Sequence, residues 1–138
     1  EKSRRLAIAD IRSKESGWKV IASLKDLKST SETVDDTIDN GNYTLRLKNN
    51  KAKTYRIVND KVESLDENDP NGVVMEENID ITGDSTLVAT APKVEGEKNG
   101  KGYTALDFEE IELEIEAGHG QVGDYKGSVT WDLSSTAN

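Results

Sequence analysis

The one histidine of the chain, His119, is the first residue to consider for catalysis or metal binding, because an imidazole can act as a base or as a ligand. It lies in the glycine-rich stretch EAGHGQVGD, and the 138-residue chain has no cysteine and no second histidine to complete a metal site. We therefore predict that His119 is an exposed loop residue and that the chain holds no metal at this position.

Two acidic clusters have the oxygen-rich composition that calcium prefers. One contains Asp35, Asp36 and Asp39, and the other is the segment DENDPNG from Asp66 to Gly72. The second is similar in outline to an EF-hand loop, but Pro70 interrupts the alternation of ligands that such a loop needs. We predict solvated turns at both clusters, with calcium binding as the alternative.

No enzymatic motif is found in the chain. Paired carboxylates can hydrolyse glycosidic bonds, but among 27 acidic residues such pairs carry no information. There is no G-x-S-x-G nucleophile elbow, P-loop or dinucleotide fingerprint. The absence of cysteine also excludes disulfides and a cysteine nucleophile. We predict that the protein is not an enzyme and uses no cofactor.

The charge and hydropathy of the chain exclude two further classes of function. A formal net charge of −9 opposes binding to nucleic acids and to anionic lipids. No apolar run approaches the roughly 18 residues that span a membrane, so membrane insertion is not predicted. The length suits one domain over residues 1–138. The opening EKSRR, with neither Met nor a signal peptide, indicates a piece of a longer protein.

The positioning elements are predicted to be β-strands. Asn-Gly, a dipeptide of tight hairpin turns, occurs three times, and IELEIE alternates strictly between apolar and acidic residues. We predict an all-β, antiparallel sandwich or barrel-like domain of about eight or nine short strands, and a long connection over SLKDLKSTSETVDD. The candidate strands are LAIADI, WKVIASL, NYTLRLK, TYRIV, the stretch from Val73 to Ile81, TLVATA, KGYTALDF, IELEIE and YKGSVTWDL.

Both tryptophans fall in apolar rows of predicted strands. Trp18 shares a row with Val20, and the final strand places Tyr125, Trp131 and Leu133 on one face. Burial in the core is the expected role of these rows. The alternative is a platform of exposed aromatic rings that stacks on sugars, as in carbohydrate-binding modules.

The two ends of the chain together resemble the WxL domain, a surface module of Gram-positive bacteria. The distal WxL motif is complete as Trp131-Asp132-Leu133 and follows Tyr125, within a segment that looks like the family's final hairpin. The proximal motif, Trp18-Lys19-Val20, has Val where Leu is commoner, and GEKNGKGYTAL also fits. The resemblance covers roughly the first and last fifths of the chain. Family members usually carry more residues before the first motif, so the resemblance implies that this is the C-terminal part of a longer surface protein, with an N-terminal strand missing from this fragment.

The resemblance implies a non-catalytic module that attaches non-covalently to the cell wall through peptidoglycan and associates with a companion WxL-interacting surface protein. It implies an extracellular location at the cell surface. Two rival functions stay open: an immunoglobulin-like structural or adhesive domain, and a carbohydrate-binding module. Affinity for cell walls separates the first rival from the WxL interpretation.

Two hypotheses describe how the WxL motifs act. In one they touch the wall or the partner directly, and in the other they form the core while an outward surface binds. The shared face of each motif favours the second. Our nominees for that surface are the three acidic residues of IELEIE, which would attract a basic partner: Glu112, Glu114 and Glu116. The competing interpretation is that they form only a solvated face.

Overall fold

The structure is a computed structural model that describes residues 4–12, 17–29, 37–66, 69–95, 97, 99–116 and 125–135. Every regular element in these ranges is a β-strand. The eleven strands are β1 (Arg4–Asp10), β2 (Trp18–Ser29), β3 (Tyr43–Lys48), β4 (Lys51–Val58), β5 (Lys61–Asp66), β6 (Val74–Met75), β7 (Ile79–Ile81), β8 (Thr86–Ala91), β9 (Gly102–Phe108), β10 (Glu110–Ile115) and β11 (Tyr125–Ser135).

The predicted all-β class is confirmed, but there are more strands than the eight or nine expected. The stretch from Val73 to Ile81 forms two short strands instead of one, because the backbone bends at Glu77 and Asn78. Strand β5 was not anticipated, since KVESLD is too charged to show an apolar row. Strand β2 also continues to Ser29, so the first half of the predicted long connection is strand.

The strands form three antiparallel sheets, consistent with a β-sandwich and not with a closed barrel. Their orders are β1-β9-β4-β5, β10-β3-β7 and β11-β2-β8-β6. The chain passes from the first sheet to the second at Glu109, between β9 and β10. This arrangement leaves β1, β10 and β11 each at the edge of its own sheet.

The core lies between the inward rows that the alternation predicts. Tyr43 and Leu47 of β3, Ile79 and Ile81 of β7, and Leu106 of β9 are buried in one cluster. Burying such side chains contributes about 1.5–3 kcal/mol each relative to exposure, and this supplies most of the driving force for folding. The row of β10 is less deeply placed: its isoleucines are half-buried and its leucine is 41% exposed.

A bulge in β2 shapes the end of the sheet that carries the distal motif. Asp26 has a φ of +59°, and the pairing of β2 with β11 shifts register there, between Lys126 and Ser128. Such an extra residue bends the strand while leaving the flanking side chains in the core. Leu24 and Leu27, on either side of the bulge, are both buried.

Candidate functional site

The proximal tryptophan is a core residue, as predicted. Trp18 is 3% exposed and Val20 is buried beside it. The indole N–H of Trp18 donates a hydrogen bond to the carbonyl of Gly100, with 3.1 Å between Nε1 and the oxygen. Gly100 has a φ of +73°, and a Cβ built there would stand 2.3 Å from Trp18 Nε1. One of the predicted Asn-Gly turns is therefore fitted against the proximal motif.

The pairing of β2 with β11 brings the two WxL motifs together. The strands run antiparallel, with Leu133 opposite Val20 and Trp131 opposite Ala22. Residues that face each other across such a pair share one side of the sheet. The two motifs are more than a hundred positions apart in the sequence, and this pairing places their apolar side chains next to each other on one face of the sheet.

The distal motif is less deeply buried than the core position predicted for it. Trp131 is 38% exposed and Leu133 is 52% exposed. The reason is the place of β11 at the edge of its sheet, where a strand has a neighbour on one side only. Tyr125 and Val129, in the same row, are half-buried. The motif row therefore borders the core instead of lying inside it.

An apolar cavity of about 430 Å³, here called the motif groove, opens beside this row. It lies between the three edge strands β1, β10 and β11, over a floor from β2 and β3. Among the described residues that line it, Arg5 alone carries a charge. The lining residues are Arg5, Leu6, Leu24, Leu27, Leu45, Leu47, Phe108, Ile111, Leu113, Tyr125, Gly127, Val129 and Trp131.

The ring of Trp131 forms one wall of the motif groove. It stacks on Phe108 with 5.6 Å between ring centroids and 22° between planes. Gly127, in the middle of the motif row, leaves the groove open, and a Cβ there would come within 3.0 Å of Leu24 Cδ1. Sequence reasoning missed Phe108 and Gly127. The sequence held a signal for Gly127 alone, as a glycine inside an otherwise apolar row.

A smaller cavity of about 230 Å³ continues along β1 and β11. Leu133 and Ile11 border it, and Ile11 is 80% exposed. Arg12 closes this end, because its Nη1 donates to Ser135 Oγ at 3.0 Å while its Nε donates to Asp10 Oδ1 at 2.8 Å. The hydrogen bond from Arg12 lowers the pKa of Asp10, whose carboxylate is buried.

The charge at the rim of the motif groove is held in an ion-pair network. Arg5 Nε donates to Asp107 Oδ1 at 2.7 Å, and Lys53 Nζ lies 3.1 Å from Asp107 Oδ2. Burial alone would raise the pKa of Asp107, but the hydrogen bonds from Arg5 and Lys53 outweigh it and leave the pKa below its ordinary value. The groove therefore offers an apolar surface, and Arg5, the one cation among the described residues that line it, is already paired with Asp107.

The three nominated glutamates lie along and just after β10, away from the motif groove. Glu114 Oε1 accepts a hydrogen bond from Arg46 Nη2 at 2.8 Å, and Glu112 Oε2 lies 3.2 Å from Lys48 Nζ. Glu116 lines a separate shallow depression beside Asn42, whose carbonyl accepts the Glu116 backbone N–H. This face is a mixture of both charges. Its role in binding stays a prediction.

The other residues considered for chemistry are only partly covered by the structure. His119, Asp35 and Asp36 lie outside the described residues, as do positions 67–68 of the second acidic cluster. Asp69 Oδ1 accepts the backbone N–H of Asn71 at 2.8 Å, an arrangement typical of a turn. Within the described ranges, no group of three or more potential metal-binding side chains comes together, and no helix long and apolar enough for a membrane span occurs.

Comparison with known proteins gives one match. The family model described as "WxL domain surface cell wall-binding" matches residues 1–137, nearly the whole chain. No curated protein and no solved structure matches the chain.

Proposed function

Because the chain belongs to the WxL family of surface cell wall-binding domains, we propose that it holds its parent protein non-covalently on the peptidoglycan of a Gram-positive wall. A wall-binding role at the cell surface follows from the family itself, and our proposal adds peptidoglycan as the wall component that is bound. The observation that carries it is the family match over residues 1–137, with both Trp motifs in place. Catalysis forms no part of the proposal.

A second proposal concerns the companion WxL-interacting protein, which we assign to the motif groove. The supporting observation is an apolar groove whose walls are edge strands. An edge strand has unpaired backbone groups that can accept a strand of another chain, while the groove takes alternate side chains of that strand. The expected occupant is an extended, apolar segment that adds to β11.

The lining of the groove favours a protein segment over a sugar. A saccharide needs hydrogen-bonding groups around its stacking ring, whereas the residues beside Trp131 are mainly aliphatic. One face of the Trp131 ring is also covered by Phe108. The exposure of Trp131 nevertheless makes the carbohydrate-binding alternative testable. If it holds, tryptophan fluorescence shifts when soluble wall glycan is added.

Sedimentation with purified peptidoglycan tests the first proposal. The folded domain is expected to leave the supernatant in a saturable manner. A domain that stays in solution at every peptidoglycan concentration would support the immunoglobulin-like alternative, which predicts no wall affinity.

Capture by an immobilised WxL-interacting protein tests the second proposal, with a matched pair of variants. Leu113→Glu places a charge in the motif groove, while Leu87→Glu places the same charge on β8, at a similarly exposed leucine outside it. We expect Leu113→Glu to abolish capture and Leu87→Glu to bind like the parent. Equal binding by both variants would exclude the groove as the docking site.

A further inference from the structure

The outer face of β2 and β11 carries a concentration of positive charge that the net charge of the chain conceals. Cross-strand pairing fixes which side chains share this face: Lys126 is opposite Lys28, Ser128 is opposite Lys25, and Ser134 is opposite Lys19. All four lysines are exposed. We call them the lysine face.

The pair formed by Lys28 and Lys126 is unfavourable in itself. Like charges directly opposite each other in an antiparallel pair repel and cost stability. Among the described residues, none of the four lysines has a carboxylate within ion-pair distance. By contrast, Arg46 and Lys48 of β3 are paired with glutamates of β10.

The acidic residues near this face do not cancel it. Asp132 is the one acidic residue in the outward row of β11, opposite Ile21. Asp26 stands in the bulge beside Lys25, with a φ of +59° and an exposed side chain. Among the described residues, four lysines therefore share this face with Asp132 and the neighbouring Asp26, on a chain of formal charge −9.

The dimensions of the lysine face suit a linear ligand. Lys19 and Lys25 are six residues apart on one strand, about 20 Å at roughly 3.3 Å per residue. The exposed hydroxyls of Ser128 and Thr130 lie between the two ends of the face and can donate hydrogen bonds. Lysine provides a compact, mobile point charge, which suits repeated anionic groups better than a single planar carboxylate.

We propose that the lysine face binds an anionic polymer of the cell wall, through the repeated negative charges along it. Those charges are the phosphodiesters of wall-linked polymers, which repeat along a linear chain. The inference rests on the proposed wall attachment and assigns its electrostatic part to a surface distinct from the motif groove. It also accounts for the retention of an unfavourable lysine pair, because the ligand would neutralise it.

The test compares two triple variants of equal net charge. One replaces Lys25, Lys28 and Lys126 by Gln, and the control replaces three lysines on other strands or loops, namely Lys51, Lys61 and Lys93. Binding is measured by sedimentation with whole walls, with peptidoglycan stripped of phosphate polymers, and with whole walls plus an excess of the soluble phosphate polymer as a competitor. Circular dichroism establishes that each variant is folded.

At roughly 50 mM salt we expect the face variant to bind the wall about tenfold or more weakly than the parent, since each lysine near an anionic surface contributes roughly fivefold. The control is expected to stay within about twofold. At about 1 M salt the screening length falls to about 3 Å, so the parent and the face variant should converge. Phosphodiesters are supported if the difference between the parent and the face variant disappears on stripped peptidoglycan and on walls with the soluble competitor. A difference that persists on stripped peptidoglycan overturns them in favour of the stem-peptide carboxylates.

The outcomes separate this inference from the proposed function. A parent domain that fails to sediment in any arm contradicts wall attachment itself. A parent that sediments while the face variant binds equally well at low salt overturns the lysine face alone. Equal losses in the face variant and the control would also overturn it, since net charge and not this surface would then govern binding.

Discussion

Replacing Trp131 by alanine is expected to lower the free energy of unfolding by about 2–3 kcal/mol. Removing a fully buried tryptophan costs about 3–5 kcal/mol, through lost burial and the cavity left behind. Trp131 is 38% exposed, so about three-fifths of that cost applies. Loss of its stacking on Phe108 is included in the upper end of the range. Trp18, at 3% exposure, should lose the full amount, about 3–5 kcal/mol.

Urea denaturation followed by circular dichroism measures both variants on the same scale. For a chain of 138 residues, a loss of about 1 kcal/mol corresponds to a change in melting temperature of about 3–4 °C. The Trp131 variant should therefore melt about 7–10 °C below the parent, and the Trp18 variant further below. Leu87→Ala, at an exposed leucine outside the groove, serves as the control and should cost less than about 1 kcal/mol.

Equal destabilisation by the two tryptophan variants would refute this reasoning. It would mean that Trp131 is fully enclosed in solution and that the motif groove is closed to a partner. A Trp131 variant as stable as the parent would contradict the reasoning from the other side, because the ring would then contribute no packing against Phe108.

Four further outcomes are expected. Gly100→Ala should lower the free energy of unfolding by more than about 2 kcal/mol in urea denaturation, because the φ of Gly100 is positive and a Cβ there would collide with the proximal tryptophan. Gly41→Ala, also at positive φ but in open space, should cost about 1 kcal/mol. Equal costs would contradict the close fit of the Gly100 turn against that tryptophan. The melting temperature should fall as the pH drops below about 4, because the pKa of Asp107 is lower in the folded protein than in the unfolded chain. The ionised carboxylate stabilises the fold above the unfolded-state pKa, and this stabilisation is lost as the pH falls through the folded-state pKa. Asp107→Asn should make the melting temperature less dependent on pH in this range. EDTA should leave the melting temperature unchanged, and a drop that calcium restores would reveal a metal site in the acidic segment from position 66 to 69. Replacing the three nominated glutamates by Lys should weaken binding to a basic partner surface if their face takes part, and a folded triple variant that binds the partner like the parent would show that this face is only solvated.

Alternation in the sequence predicted those features that depend on two faces of a strand. The rows of β3 and β10 and the burial of Trp18 follow from period-two patterns, because a half-buried strand must separate apolar from polar side chains. The family was likewise accessible from the two Trp motifs. In contrast, β5 was missed because its charged sequence shows no apolar row.

The exposure of the distal motif could not be predicted from its own strand. Period two says which side chains share a face, but not whether a second layer covers that face. Trp131 and Leu133 are exposed because β11 is an edge strand, and strand order depends on pairings between residues about a hundred positions apart. The lysine face has the same origin: Lys126 and Lys28 become neighbours only through the pairing of β2 with β11. Net charge, a sum over the chain, cannot reveal such a surface.

Sedimentation of the purified domain with peptidoglycan free of protein and phosphate polymers tests the central claim most directly. The assay is run at low salt on domain whose fold has been verified by circular dichroism. The account predicts saturable removal of the domain from the supernatant, with an excess of soluble peptidoglycan fragments returning it to solution. Folded domain that remains in the supernatant at saturating peptidoglycan would contradict attachment through this wall component.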